Sequence, residues 1–233
     1  MDKKPYAVAL ADMDLIHLES ELKGLESSSL VVELHIDIAD GVFVPSYGAG
    51  EALLGQLRAA TTLPLHVHLA ATQVDRQIPR LIAAGAQHIT VHAEACTHLH
   101  RTLSQIRDLG ASPGVALLPA TPMTRLEYAL GIVDRVLLLA ADPMGTQSAM
   151  AISYERVRIL KENLHYLKNS AVLEVEGGLD VEASARMLSL GADRVVLDRS
   201  NVFQTLRKSE MRPELAEALQ QFHRAVGNAQ HLV

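Results

Sequence analysis

Imidazole and carboxylate side chains recur in this chain at a spacing of two residues. His35 and Asp37 flank Ile36, His66 and His68 flank Val67, and Glu174 and Glu176 flank Val175. On an extended strand alternate side chains share a face, so each pair would project together with the aliphatic residue turned away. Two histidines and one or two carboxylates brought together suit a divalent ion such as Zn²⁺, Fe²⁺, Mn²⁺ or Co²⁺, which both ligand types accept. Taken singly, each residue also has a plainer reading as a hydrogen-bonded polar group or a loop anchor. Eleven histidines in 233 residues, against 3% aromatics and no Trp, make imidazole the place to look for chemistry.

Such pairs need strands to carry them. Aliphatic runs predict strands over Tyr6–Ala11, Val31–Asp37, Leu65–Ala70, His88–His92, Gly114–Leu118, Arg135–Ala140, Val172–Glu176 and Arg194–Leu197. Amphipathic stretches between them predict helices over Asp14–Leu25, Gly50–Ala60, Val74–Ala84, Cys96–Leu109, Arg125–Leu130, Ser153–Leu167, Glu182–Leu190 and Ser200–Arg207, and a last one over Pro213–Ala225. Gly85-Ala86, Gly110-Ala111 and Gly191-Ala192 each fall between a helix and a strand, where a left-handed C-cap is wanted. No linker divides the chain. Eight βα units in this length predict one (β/α)₈ barrel over 1–233 with a C-terminal helix, an open doubly wound sheet being the alternative. The functional groups of such a barrel stand at the C-terminal ends of its strands, where the three polar pairs lie.

Composition narrows the partners. With 48% apolar and 21% charged residues the chain is a globule with a sizeable core. A net charge of −6 and the lack of a basic run argue against nucleic acid. The N-terminal apolar run is too short and interrupted for a signal peptide or a membrane span, and the single cysteine, Cys96, closes no internal disulfide; the chain reads as cytoplasmic with no membrane partner. Its six lysines all lie outside the predicted strands, against Schiff-base chemistry.

The motifs, in order, are HIDIADGVFVP from His35 to Pro45, His68-Leu69, Ala84-Gly85-Ala86, His92-Ala93-Glu94-Ala95, Ala116 to Pro122, Glu174 to Gly178 and Gly191-Ala192-Asp193. From about Ala11 to Phe203 the chain closely resembles the ribulose-phosphate 3-epimerase family. The resemblance implies a (β/α)₈ barrel and a metal-dependent isomerase that inverts the carbon next to the ketone of a phosphorylated ketose. It implies His35, Asp37, His68 and Glu176 as metal ligands, Asp37 and Glu176 as the acid/base pair, and an oligomer as its assembly. It requires no organic cofactor. Proton transfer from opposite faces of a planar enediolate suits two carboxylates carried on strands that lie across a barrel.

Several positions depart from the family pattern. Glu176 stands for its Asp, one methylene longer, and misplacement by an ångström can cost about 10²-fold in rate. His66 replaces an Asp that would sit behind the metal histidine; it is either a ligand itself or a hydrogen-bonded neighbour, as His92 is at the end of strand four. Ala39, Ala70 and Leu139 replace methionines, Ala7 and Leu10 replace serines, and Leu118 replaces Asn, making the cavity larger and less polar. For the phosphate, Gly177 and Gly178 persist. The loop after strand six is shortened to Pro143-Met144-Gly145-Thr146, and Arg199-Ser200 replaces Gly-Ser. Gly145, Gly177, Gly178, Arg199 and Ser200 are therefore the candidate anion site, with Arg199 equally suited to an ion pair with a nearby acid. The alternative function is a barrel of this family that has lost turnover and acts as a small-molecule binding or regulatory protein. Gly48-Ala49-Gly50 lacks the spacing of a nucleotide loop, and His98 and His100 read as helix-surface residues beside a packed Cys96.

Overall fold

A computed structural model describes residues 5–11, 13–143, 148–204 and 214–231. Eight parallel strands close a barrel in sequence order: β1 (Tyr6–Ala9), β2 (Val31–Ala39), β3 (Leu65–Ala70), β4 (His88–His92), β5 (Ser112–Leu117), β6 (Arg135–Leu139), β7 (Val172–Glu176) and β8 (Arg194–Leu197). The outer layer holds α1 (Leu18–Ser27), α2 (Glu51–Ala60), α3 (Val74–Ala83), α4 (Leu99–Asp108), α5 (Ala151–Tyr166), α6 (Val181–Ser189), α7 (Arg199–Gln204) and α8 (Leu215–Gln230). This is the (β/α)₈ barrel expected, a single domain. No helix among the described residues is long and apolar enough to cross a membrane.

Period-two alternation on the strands divides the interior. Outward residues such as Leu34, Ile36, Val67, Ile89, Val136 and Val175 are fully buried against the helices' apolar stripes, including Leu54, Ile78, Ile106 and Leu160. Burying each such side chain contributes about 1.5–3 kcal/mol. Inward residues differ by strand. Ala7, Ala9, Ala116, Leu137, Leu139 and Val196, from β1, β5, β6 and β8, form a small apolar cluster of their own. The inward side chains of β2, β3, β4 and β7 are mostly acids and histidines, several of them fully buried.

Element ends moved by a few residues, with physical causes. α1 begins at Leu18 because Asp14 caps a preceding turn: its Oδ1 accepts from Ile16 N at 3.1 Å and its Oδ2 meets His17 Nδ1 at 3.0 Å. β2 runs two residues beyond Asp37, to Ala39. Cys96 and Thr97 precede α4, and Ala93–Ala95 form a 3₁₀ turn. The helix expected over Arg125–Leu130 is not an α-helix. Met123–Leu126 form a 3₁₀ turn, and i→i+3 bonds such as Arg125 N to Pro122 O and Glu127 N to Thr124 O dominate. Gly85, Gly110 and Gly191 have φ of +112°, +92° and +107°, the left-handed caps expected at the ends of α3, α4 and α6.

Candidate functional site

Parallel pairing of β2 with β3 sets Asp37 beside His68 and His35 beside His66. From β7, on the other side of the barrel, Glu176 reaches the same point. His35 Nε2 lies 3.3 Å from Asp37 Oδ1 and 3.4 Å from Glu176 Oε2, while His68 Nδ1 lies 2.9 Å and 3.3 Å from the same two oxygens. All four donor atoms fall within 4.8 Å of one another. The imidazoles are buried, whereas the side chains of Asp37 and Glu176 keep 28% and 17% of their area open, so the carboxylates face the mouth.

The donor set fits a divalent ion. Bonds of about 2.1 Å hold neighbouring ligands roughly 3.0–3.4 Å apart in tetrahedral or octahedral arrangements, the range in which these atoms stand. Glu176 Oε2 is buried and makes no hydrogen bond, which suits an atom that serves as a metal ligand. Protonation of the ion-free cluster follows the same pattern. Burial alone would lower the pKa of His68, but the charges of Glu176 and Asp37 raise it to about 9; His35 is also raised. Burial and the charge of Asp37 would raise Glu176, yet His35 and His68 bring it down to about 2. Asp37, for which burial likewise opposes the imidazoles, is held well below the usual carboxylate range.

A chain of hydrogen bonds sets the tautomer of His68. Glu94 Oε1 accepts from Leu118 N at 2.9 Å and from the Thr121 hydroxyl, and Glu94 Oε2 faces His92 Nδ1 at 3.2 Å. The carboxylate can only accept, so His92 donates from Nδ1 and accepts at Nε2, which is 2.9 Å from His68 Nε2. His68 therefore donates outward through Nε2 and turns Nδ1 into the cluster. Glu94 and Thr121 were quoted in the sequence motifs without a role; Glu94 standing two residues beyond His92 was the available signal.

His66 is not part of the four-atom cluster. Its Nε2 is 2.7 Å from Thr90 Oγ1 and its Nδ1 is 2.9 Å from Arg135 Nη1, with Glu33 and Glu174 beside it. Both ring nitrogens are thus engaged, and burial together with Arg135 lowers its pKa well below the ordinary value. Of the acids facing Arg135, Glu33 is held low, whereas burial raises Glu174 to about 7. Arg135, Glu33 and Thr90 went unnoticed in the sequence. Glu33, two before His35, continues the same alternation and was the signal for this deeper layer.

Around the mouth, Asp40 anchors the loop after β2, accepting from Val42 N, Phe43 N, Thr72 N and Thr72 Oγ1 at 2.7–2.9 Å. Gly48 belongs to that loop, as expected: a Cβ there would come within 2.3 Å of the Asp37 carbonyl oxygen, which accepts from Ala49 N. Gly177 and Gly178 follow β7 with φ of +100° and +64°. Arg199 Nε donates to Glu21 Oε1 at 2.9 Å and its guanidinium lies 4.5 Å from the Phe203 ring centre, which is the ion-pair arrangement. Ser200 follows it in α7, and Gly145 lies outside the described residues. Ala7, Leu10, Ala70 and Leu139 are buried at the apolar positions noted in the sequence, His98 and His100 are exposed, and Cys96 is packed.

Residues 6–203 match the family described as Ribulose-phosphate 3 epimerase family. Ribulose-phosphate 3-epimerase of Aquifex aeolicus is 40% identical over 165 residues, 70% of this chain and 74% of the relative. The protein of the same name from Bacillus subtilis is 35% identical over 204 residues, 87% and 94% respectively. Among solved structures, a mutant tryptophan synthase α-subunit from Pyrococcus furiosus superposes with a TM-score of 0.66 at 16% identity, covering 97% of this chain and 98% of that one. Phosphoribosyl anthranilate isomerase from Thermococcus kodakaraensis superposes with a TM-score of 0.63 at 14% identity, covering 94% and 98%; both likenesses concern the fold alone.

Proposed function

The chain belongs to the ribulose-phosphate 3-epimerase family, and from that premise we propose that it inverts the carbon next to the ketone of a pentulose or hexulose phosphate, with His35, Asp37, His68 and Glu176 holding a divalent ion. The reading is carried by the convergence of their four donor atoms within 4.8 Å. Zn²⁺, Fe²⁺, Mn²⁺ and Co²⁺ all suit two imidazoles with two carboxylates. An ion bound there supplies a Lewis acid for the negative charge that develops on the ketone and neighbouring hydroxyl oxygens.

The chain's own residues handle the proton. Asp37 enters the cluster through Oδ1 and Glu176 through Oε2, which leaves Asp37 Oδ2 and Glu176 Oε1 for the substrate. Carried by β2 and β7, the two carboxylates approach a planar enediolate from different sides: one removes the carbon-bound proton and the other returns a proton to the opposite face. His92 and Glu94 hold the ring of His68 in place throughout. Gly177, Gly178 and Ser200, together with Gly145 of the loop after β6, are the candidate phosphate site. Arg199, held by Glu21, lends positive charge at its rim. The enzyme acts in the cytoplasm as a homo-oligomer, with a small phosphorylated sugar and neither nucleic acid nor membrane as its partner.

Metal analysis of the purified protein and solvent deuterium incorporation into a panel of pentulose and hexulose phosphates test this. The expected result is about one divalent ion per site and exchange at the carbinol carbon of at least one sugar. Metal without exchange on any ketose phosphate would instead make the chain a binding or regulatory barrel. Neither metal nor exchange would end the epimerase reading.

A further inference from the structure

Beneath the metal cluster the lumen holds a second, deeper layer of charge. Arg135, the first residue of β6, sends its guanidinium across the barrel: Nη1 donates to Glu33 Oε1 at 2.7 Å and to Glu174 Oε1 at 3.0 Å and stands 2.9 Å from His66 Nδ1, while Nη2 donates to Glu33 Oε2 at 3.2 Å. Glu33, His66 and Glu174 have ligand atoms close enough to hold a metal. The guanidinium already occupies that position, so the layer carries a cation of the protein's own. Arg194, from β8, adds weaker contacts to the same two acids, its Nη1 lying 3.2 Å from Glu174 Oε1 and 3.4 Å from Glu33 Oε1.

The partners of Arg135 are placed systematically. Glu33, His66 and Glu174 stand two residues before His35, His68 and Glu176 on the same three strands. Alternation puts each pair on one inward face, with the deeper member about 6.6 Å further down the strand. β2 and β3 are hydrogen-bonded neighbours, so their relative position is fixed by the ladder. β7 is joined to β2 only indirectly, through β8 and β1 on one side and through β6, β5, β4 and β3 on the other, and its ladder with β8 is short. Arg135 is a direct tie between β7 and the β2–β3 pair. Room for it is built in: a Cβ at Gly114 on β5 would lie 2.5 Å from Arg135 Cγ and 2.2 Å from Thr90 Oγ1, the group that holds His66.

Resting on the metal reading above, we propose that Arg135 is a positioning residue whose guanidinium ties β2 and β3 to β7 and thereby sets the gap across which Glu176 meets His35 and His68. A buried bidentate guanidinium is rigid in a way that an ammonium is not. Ligand atoms need placement within about 0.5 Å for productive geometry. The longer acid at Glu176 is thus matched by a tie that holds its strand at the corresponding distance.

The test is Co²⁺ binding, read as affinity by competition with a chelator and as the visible d–d spectrum, on the full chain. Arg135→Lys keeps the charge and loses the fork. The triple variant Arg135→Met, Glu33→Gln, Glu174→Gln leaves only the partly exposed Arg194 charged among these groups, and it carries the test where Arg135→Lys does not fold. Gly114→Ala displaces the stem while leaving every charge in place. Variants that fold, by circular dichroism, are expected to bind Co²⁺ at least about 10-fold more weakly, with an altered spectrum. A folded triple variant with the wild-type affinity and spectrum would reduce Arg135 to charge balance and overturn the proposal. Wild-type protein that binds no Co²⁺ would overturn the metal centre itself and the tie along with it.

Discussion

Asp37 sits between two imidazoles, with its carbonyl capped by Ala49 and pressed by Gly48, so both ends of the residue are fixed. Replacing Asp37 with Asn keeps the shape and removes the carboxylate proposed as a base; deuterium exchange is expected to fall by about 10²–10⁴-fold, and unchanged exchange would take Asp37 out of the chemistry. Glu176→Asp is the complementary change. Shortening the side chain withdraws its oxygen from His35 and His68, and because the backbone is spaced for the longer acid, turnover should drop by about 10²-fold. A Glu176→Asp enzyme as fast as the parent would show that the strand adjusts freely. His92→Ala breaks the bond that fixes the tautomer of His68; metal affinity, measured by competition, is expected to weaken by about 10–100-fold with the fold intact.

At the scale of elements, the strands were the most legible part of the sequence. β3, β4, β7 and β8 have the bounds that their aliphatic runs predict, because a strand's signal lies in its own residues. His35, Asp37, His68 and Glu176 were legible for the same reason, each being one member of a period-two pair. Arg135 was not. A cation at the first position of a strand reads as a rim residue, and its partners Glu33, His66 and Glu174 lie 102, 69 and 39 residues away. The 3₁₀ turn between β5 and β6 was misread because Arg125 to Leu130 has helical composition, whereas its backbone bonds run mostly i→i+3. α8 packs against α1, α6 and α7, closing the ring of helices through fully buried Phe222, which meets Tyr6 edge-on at 6.0 Å. Phe222→Ala should destabilise the fold by about 3–5 kcal/mol, read as a lower denaturant midpoint at unchanged slope.

For the molecule as a whole, the paired charges at the mouth couple stability, protons and metal. Without an ion, His68 has its pKa raised to about 9 by Glu176 and Asp37. A raised histidine pKa gives stability that is complete below the unfolded value near 6.5 and is lost as pH climbs through the folded one. In chelator, the protein should therefore lose on the order of 3 kcal/mol at most between about pH 6.5 and 9. The ion requires neutral imidazole, so its affinity should rise over the same window, and saturating Co²⁺ should flatten the decline. Thermal melts with chelator and with Co²⁺, at matched pH, check both; a chelated protein equally stable at pH 6.5 and 9 would mean that His68 carries no extra proton.

The lumen's inward residues also divide its wall into wet and dry sectors. Acids and histidines from β2, β3, β4 and β7 form a charged bridge, with alanines, leucines and a valine of β1, β5, β6 and β8 on its flanks. A ligand settling on that bridge can direct its oxygens along it while its carbon skeleton rests against a greasy flank. A molecule with oxygens on every side would have to press some of them against hydrocarbon, so the lumen favours a ligand with one wet edge and one dry one.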